Sequence, residues 1–313
     1  MWLQVLIYIC FLFFVGASIA KAIKYSRMPV HLKWELYPIA HEVGHESGGS
    51  YLEEPNWWDK TPRRSVLGEL KYMAREVLLF EKTYRNNRGL WYFTYPFHMG
   101  LFLLIVWLIL LLLGALVMVA GVSFAEPASN LARIVHYLTL ALGISGFIIG
   151  ILGCCGLLIK RLNDENLKPF TIPADYFNLS FILVILLSGF VSWLVFDQEF
   201  NSARELIKSL ITFSSTPDIN PAMLIGLILF SLFLVYMPFT HMMHGLTKYF
   251  TFHRVLWDNE PNLRGSRLER KMQKQFMQPI NWSAPHTQGG KTWGEIVSGD
   301  EGGGDEKNGN KKH

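Results

Sequence analysis

The residues with the greatest chemical reach in this chain are histidines in or beside uncharged runs: His98, His136, His241 and His244. A ligating or ionisable side chain in such a run is a functional candidate by default. Two imidazoles at equal depth on facing helices can hold a haem iron from both sides, a cofactor site built in the core of helical bundles. His98 lies near the start of one run and His241 and His244 near the end of another. Alternating helix directions would put them at similar depth. Gly100 and Gly226 are small enough to leave room for the flat face of a macrocycle. The same histidines could instead bond carbonyls at helix ends with no cofactor present, and spacing leaves both readings open.

A second motif competes. His41-Glu42-Val43-Gly44-His45 matches H-E-x-x-H, in which two His one helical turn apart bind zinc and the Glu acts as base. Pro38, Gly44 and Gly48-Gly49 crowd it and argue against a rigid helix. No third His follows at the metzincin spacing. Glu53, Glu54 and Glu69 are the downstream acids that could complete a zinc site. The plainer reading is a polar loop that touches a partner. Cys10, Cys154 and Cys155 have no C-x-x-C spacing, which excludes a disulfide scaffold and a cysteine-ligated iron–sulfur cluster held by this chain alone.

The elements that would position these residues are set by charge. The chain has 313 residues, 50% of them hydrophobic and only 17% charged, against about 25% charged in soluble domains. Five uncharged stretches stand out: Met1–Ala20, Gly89–Ala125, Ile134–Ile159, Tyr176–Phe196 and Ile219–Thr247. Each reaches the roughly 20 residues that span a hydrocarbon core as a helix, and a lipid-exposed span must satisfy its own backbone. The expected fold is an all-α integral membrane protein with five transmembrane helices. Ala20-Lys21-Ala22 resembles a signal cleavage site, yet no basic residue precedes the apolar run, so a retained helix is expected.

Basic residues set the expected orientation. Lys21–Arg88 holds twelve, Lys160–Lys168 three, and the tail from Lys248 eleven, which is 26 of the 29; the other two links hold Arg133, Arg204 and Lys208. The N-terminus is therefore expected outside and the C-terminus in the cytoplasm, in a multi-pass protein of the cytoplasmic (inner) membrane. The net charge of +4 then belongs to cytoplasmic loops and gives no argument for nucleic acid.

The domain reading is a first transmembrane helix at 1–22, a cytoplasmic segment at 23–95, a haem-binding four-helix bundle at 96–247, a docking tail at 248–297 and a disordered tail at 298–313. The 23–95 segment carries an amphipathic helix, with Val66, Leu70, Met73 and Val77 on one stripe and Leu67, Ala74 and Leu78 beside it. The stretch Arg264–Gln275 reads as a basic helix, and the Gly, Asp, Asn and Lys beyond Ser298 cannot bury a core. Trp34, Trp57, Trp58, Trp257 and Trp282 suggest a docking surface, or anchors at the membrane interface.

Pro96-Phe97-His98-Met99-Gly100 resembles the second-helix haem motif of the respiratory nitrate reductase gamma-subunit family, and Met237-Pro238-Phe239-Thr240-His241-Met242-Met243-His244 resembles its fifth-helix motif. Three further stretches are similar to one branch, the membrane cytochrome b subunit of dissimilatory sulfite-reduction complexes: His31–Pro38, Gly48–Glu54, and Thr247–His253 with Trp257–Pro261. The resemblance implies one b-type haem held by His98 and His244, exchange with menaquinol or menaquinone, and a cytoplasmic iron–sulfur partner related to heterodisulfide reductase among other membrane-complex subunits. It also implies a place in sulfate respiration. The family's outer haem ligands fall here near Leu108 and Gly226, which cannot bind iron. A second haem would need His136, the one outer histidine, where Arg133 could pair with a propionate, and Met118 or Met223 would be a possible thioether ligand. His241 is the alternative ligand, or part of a quinone site. A membrane anchor with no redox role remains the alternative function.

Overall fold

A computed structural model describes residues 1–27, 39–45, 49–61, 63–121, 130–285, 287 and 289–299. The loop His31–Pro38, Trp34, Gly48 and the tail from 300 onward, on which several expectations rest, lie outside the described residues. Among the described residues the chain is helical, with isolated bridges and no strand. Five helices are long and apolar enough to cross a membrane. They are α1 (Trp2–Ser26), α4 (Arg88–Val119), α5 (Asn130–Asn163), α6 (Pro173–Val191) and α8 (Pro221–Tyr236). Between them lie α2 (Val66–Leu78), α3 (Glu81–Asn86) and α7 (Asn201–Thr212), and after them α9 (His244–Thr251), α10 (Arg267–Phe276) and α11 (Trp293–Ser298).

Polar residues at the run boundaries set the starts. The Asn87 side chain caps α4 by accepting from Leu90 N at 3.0 Å, and Asn220 caps α8 by accepting from Met223 N at 2.8 Å. Pro173 and Pro221 occupy first-turn positions, where a missing N–H costs nothing. The fifth helix ends earlier than the uncharged run does. Pro238 cannot continue the α-helix, so the chain passes from Tyr236 into the 3₁₀ turns Met237–Phe239 and His241–Met243, and a new helix begins at His244. His241 and His244 therefore do not share the face of one continuous helix, as their spacing suggests.

The chain divides into two compact units. One comprises Met1–Ile19 and Lys71–Met243; the other joins Ala20–Leu70 to the chain from His244 onward.

In the first unit, α4 packs on α5, α5 on α6 and α6 on α8. Apolar burial cannot drive helices together in lipid, so close backbone approach and hydrogen bonding must. A row of glycines on α5 permits that approach. A Cβ at Gly143, Gly153 or Gly156 would lie 2.6 Å from Trp107, 2.2 Å from the Phe97 backbone or 2.1 Å from the Phe93 ring. Where the row crosses Gly100 of α4, a Cβ on Gly100 would meet Gly150 N at 2.3 Å. Leu111, Phe147, Leu186 and Phe200 form the buried centre, and Phe97, Cys154 and Leu157 a second cluster. The polar residues of α1 are answered by α7: Gln4 Nε2 donates to Ser209 Oγ (3.2 Å) and to the Ser214 carbonyl (2.8 Å), and Tyr8 OH donates to the Leu210 carbonyl.

The second unit is built on Trp257, which is only 2% exposed. It stacks on Phe252 at 5.0 Å and meets His41 and His253 edge-on. Expected as a docking residue, it is core; Trp58 and Trp282 are exposed as expected. Trp282 lies 6.4 Å from Trp293, where the Thr292–Glu295 capping box starts α11.

Candidate functional site

His98 sits in the third turn of α4, two residues after Pro96. Its Nδ1 lies 2.8 Å from the Thr94 carbonyl. A carbonyl only accepts, so Nδ1 carries a proton and donates it. The Phe80 ring packs against the imidazole at 4.6 Å between centroids, so a hydrogen bond and a ring contact both fix its orientation. Bonding of the second ring nitrogen to a carbonyl is the usual way a metal-ligating imidazole is set in its tautomer and direction.

Buried donors occur near the same depth. Phe97 packs with Cys154, Leu157 and Leu179, so Asn178, the neighbour of Leu179, lies in the same layer. Asn178 is 4% exposed; its Oδ1 accepts from Tyr236 OH at 2.9 Å, while its buried Nδ2 has no partner. Arg161 reaches Thr171 Oγ1 at 3.2 Å and Asp175 at 3.6 Å, and its buried Nε is likewise unpartnered. Buried polar groups are rarely left unmatched, and two unmatched donors suit the carboxylates or carbonyls of a bound ligand. His241 Nε2 lies 3.4 Å from Asp175 Oδ1 and joins this set. A haem iron would find in this layer an oriented imidazole and donors for its propionates, so these residues fit the group.

The glycines expected to make room for a macrocycle do something else. Gly100 is where α4 meets the backbone of α5, and a Cβ on Gly226 would meet Ser188 Oγ of α6 at 2.6 Å. Both positions are filled by helix packing. His244 opens α9 and belongs to the second unit.

At the opposite end of the first unit His136 meets Arg204 rather than Arg133: Arg204 Nη2 stands 3.3 Å from His136 Nδ1. A guanidinium only donates, so His136 Nδ1 accepts and its proton sits on Nε2. Arg204 is fully buried, donates to Asn201 Oδ1 at 2.6 Å and to the Glu199 carbonyl at 3.1 Å, and lays its stem over Gly114 of α4. Burial lowers its pKa, against the opposing pull of Asp197 and Glu199. Asp197 accepts from the backbone N–H of Asn201, Ser202 and Ala203, which fixes the start of α7. In the sequence Arg204 shows only as a charge in a short link, which by itself does not mark this layer. The apolar positions Ala203, Leu206, Ile207 and Leu210 with Ser209, at helical spacing, were the signal available.

The H-E-x-x-H reading fails on local structure. His41–His45 is a turn and not a helix. Glu42, 2% exposed, spends its carboxylate on Ser50 Oγ (3.0 Å), Tyr51 N (2.9 Å) and Asn259 Nδ2 (2.6 Å), so no general base is available there. His45 pairs with Glu54 at 3.1 Å. Lys60, then His45, hold the Glu54 carboxyl below the usual carboxylate range. The Glu54 carboxylate therefore stays charged at neutral pH, and its pairing with Lys60 is lost as pH falls through the lowered value. Burial, then Glu42, pushes the Tyr51 phenol up. Among the described residues no three His, Cys, Asp or Glu side chains cluster to hold a metal ion. Glu42 is a structural hub. Glu42→Ala strands three donors, two of them buried, at about 1–3 kcal/mol for each buried group left unsatisfied. A lowered thermal midpoint for the second unit, with Glu42→Gln intermediate, is the expected result in a thermal-shift measurement.

Fold and polar layers together define a five-span, all-α membrane protein with an oriented imidazole near one face of its bundle. Two curated relatives are similar to this chain, and each is described as the Hdr-like menaquinol oxidoreductase cytochrome b-like subunit. One, from Archaeoglobus fulgidus, is 25% identical over 203 residues, 60% of this chain and 58% of that protein. The other, from Archaeoglobus profundus, is 22% identical over 295 residues, 82% of each chain. The chain thus spans less than two thirds of the first relative's length. No family model matches the chain, and no solved structure matches it significantly. With five membrane-crossing helices and these relatives, it is a multi-pass protein of the cytoplasmic membrane.

Proposed function

We propose that this chain is the membrane cytochrome b subunit of a menaquinol-linked oxidoreductase complex, with His98 and His244 as the axial ligands of one b-type haem. The observation that carries the reading is the His98 imidazole, oriented by the Thr94 carbonyl and the Phe80 ring, in a layer with two unmatched buried donors. Both relatives are named as cytochrome b-like subunits, which supports it. A b-type haem, when bound, supplies one-electron redox chemistry between its ferric and ferrous states.

The chain's own residues do the rest. His98 would hold the iron, Asn178 Nδ2 and Arg161 Nε would donate to the haem carboxylates, and His241 lies beside Asp175 at the edge of the layer. We place this layer on the cytoplasmic side, with the N-terminus outside, because the basic loops flank it. The electron partner is then a cytoplasmic iron–sulfur subunit of the heterodisulfide-reductase type, docked on the 23–95 segment and the tail at 248–297. Membership of the sulfite-reduction branch rests on the loop similarities alone.

A reduced-minus-oxidised optical spectrum of the purified protein, with haem counted per chain, tests the reading. One low-spin b haem per chain, reduced by a menaquinol analogue, is expected; a chain isolated with its partners that shows no Soret or α band is an anchor without redox function. The His136 contacts favour one haem over two, since Nδ1 already serves Arg204. His136→Ala is accordingly expected to leave haem per chain unchanged, and loss of half the haem in that variant would restore His136 as a ligand.

A further inference from the structure

The helix α2 is built inside out for water. Val66, Leu67 and Leu70 are 65%, 77% and 60% exposed, and Ala74, Val77 and Leu78 are exposed on the same arc. The opposite arc, with Gly68, Glu69, Tyr72 and Glu76, faces protein. Glu76 is 3% exposed, Glu69 pairs with His253 Nε2 at 2.5 Å, and a Cβ on Gly68 would strike the Ala40 carbonyl at 2.4 Å. The acidic side is therefore the buried one, and the apolar side is a contiguous outward surface of the kind that marks an interaction site. Which medium covers it follows from where α2 ends. Trp91 Nε1, in the first turn of the membrane helix α4, donates to the Leu79 carbonyl just beyond α2 at 2.9 Å. Around that junction Tyr84, Trp91, Tyr92 and Tyr95 form one aromatic cluster, the residues that settle at headgroup depth. Lys71 is exposed along one edge of the apolar arc, Arg75 beside it is paired with Glu81 at 2.9 Å, and Arg88 lies over the Tyr84 ring at 4.7 Å.

We propose that α2 is an interfacial helix that lies on the membrane surface, its Val66–Leu67–Leu70–Val77 face among the acyl chains and Lys71 against anionic headgroups. A helix with an apolar face, a polar face and basic flanking residues partitions in this way, and juxtamembrane basic residues add attraction to anionic lipid.

The test uses the full chain in nanodiscs of phosphatidylcholine, alone or mixed with phosphatidylglycerol. A nitroxide is attached at Leu70→Cys, with Leu67→Cys as a second site and Glu165→Cys, in an exposed loop, as the aqueous control. Unsubstituted protein supplies the background of the three native cysteines. Collision with dissolved oxygen is expected to exceed collision with a water-soluble nickel chelate several-fold at Leu70 and Leu67. The order should reverse at Glu165, and phosphatidylglycerol should raise the ratio at the two α2 sites. An aqueous pattern at Leu70 and Leu67 in both lipids overturns the proposal. So does shielding from both reagents that arises only on adding a partner subunit, which assigns the face to protein docking, or only at high protein concentration, which assigns it to a second copy.

Discussion

His98→Ala is expected to remove the b-type absorption of the purified protein, with α- and Soret bands reduced by tenfold or more, while the chain still inserts and purifies. The expected size follows from what the imidazole supplies. Without it, iron loses a strong axial ligand, and no other described side chain in that layer is an imidazole held by a carbonyl and a ring. The five spans do not depend on His98, which is half-buried and bonded within its own helix, so folding should survive. Thr94 cannot be tested in the same way, because its backbone carbonyl is the partner; Phe80→Ala is the informative companion. It frees one face of the imidazole and should shift the haem's potential or spin state without emptying the site. His244→Ala is expected to match His98→Ala. A normal low-spin spectrum in both variants would falsify the ligand assignment.

The second large effect is expected at the glycine seam. Gly100→Leu places a side chain where the Gly150 nitrogen lies 2.3 Å from the nearest possible Cβ, and backbone cannot rotate out of the way. Overpacking of a well-packed core costs about 1–3 kcal/mol, and obstruction by backbone belongs at or beyond the upper end. Gly226→Leu is the graded comparison, since its first obstacle is the Ser188 hydroxyl, a side-chain end that can turn. Thermal aggregation midpoints in one detergent should fall much further for Gly100→Leu than for Gly226→Leu. Equal losses would mean that the α4–α5 contact is not the tight one.

The spans were legible because charge marks their limits. Arg88, Arg133, Asp175 and Lys160 flag ends that the structure places within a few residues, since no unpaired charge is tolerated in hydrocarbon. What packs a span to its neighbour was less visible. The spacing Gly143, Gly146, Gly150, Gly153, Gly156 was in plain view, but a search for ligating residues weighs a glycine only as room for a cofactor. Periodicity identified α2 as amphipathic and could not say which face turns inward, because that depends on Ala40 and His253, far away in the chain. Trp257 shows the same limit: an aromatic in a polar tail reads as surface until Phe252 and His41 close over it. H-E-x-x-H was misleading for a related reason. The motif has meaning only on a helix, and this Glu42 is claimed by Ser50, Tyr51 and Asn259.

Glu42 and Asn259 are 217 residues apart, and Glu69 and His253 are 184 apart. On a ribosome adding about 5–20 residues per second, the segment around Glu42 must wait on the order of ten to forty seconds for its partners. It waits until the last membrane helix has been synthesised. The second unit is in this sense a completion signal: it can close only around a chain whose final span has been made. A chain stalled or clipped before His253 would leave Glu69 without its partner, Glu42 without Asn259 and the Trp257 core unformed, and so would stand exposed to proteases while finished copies are protected.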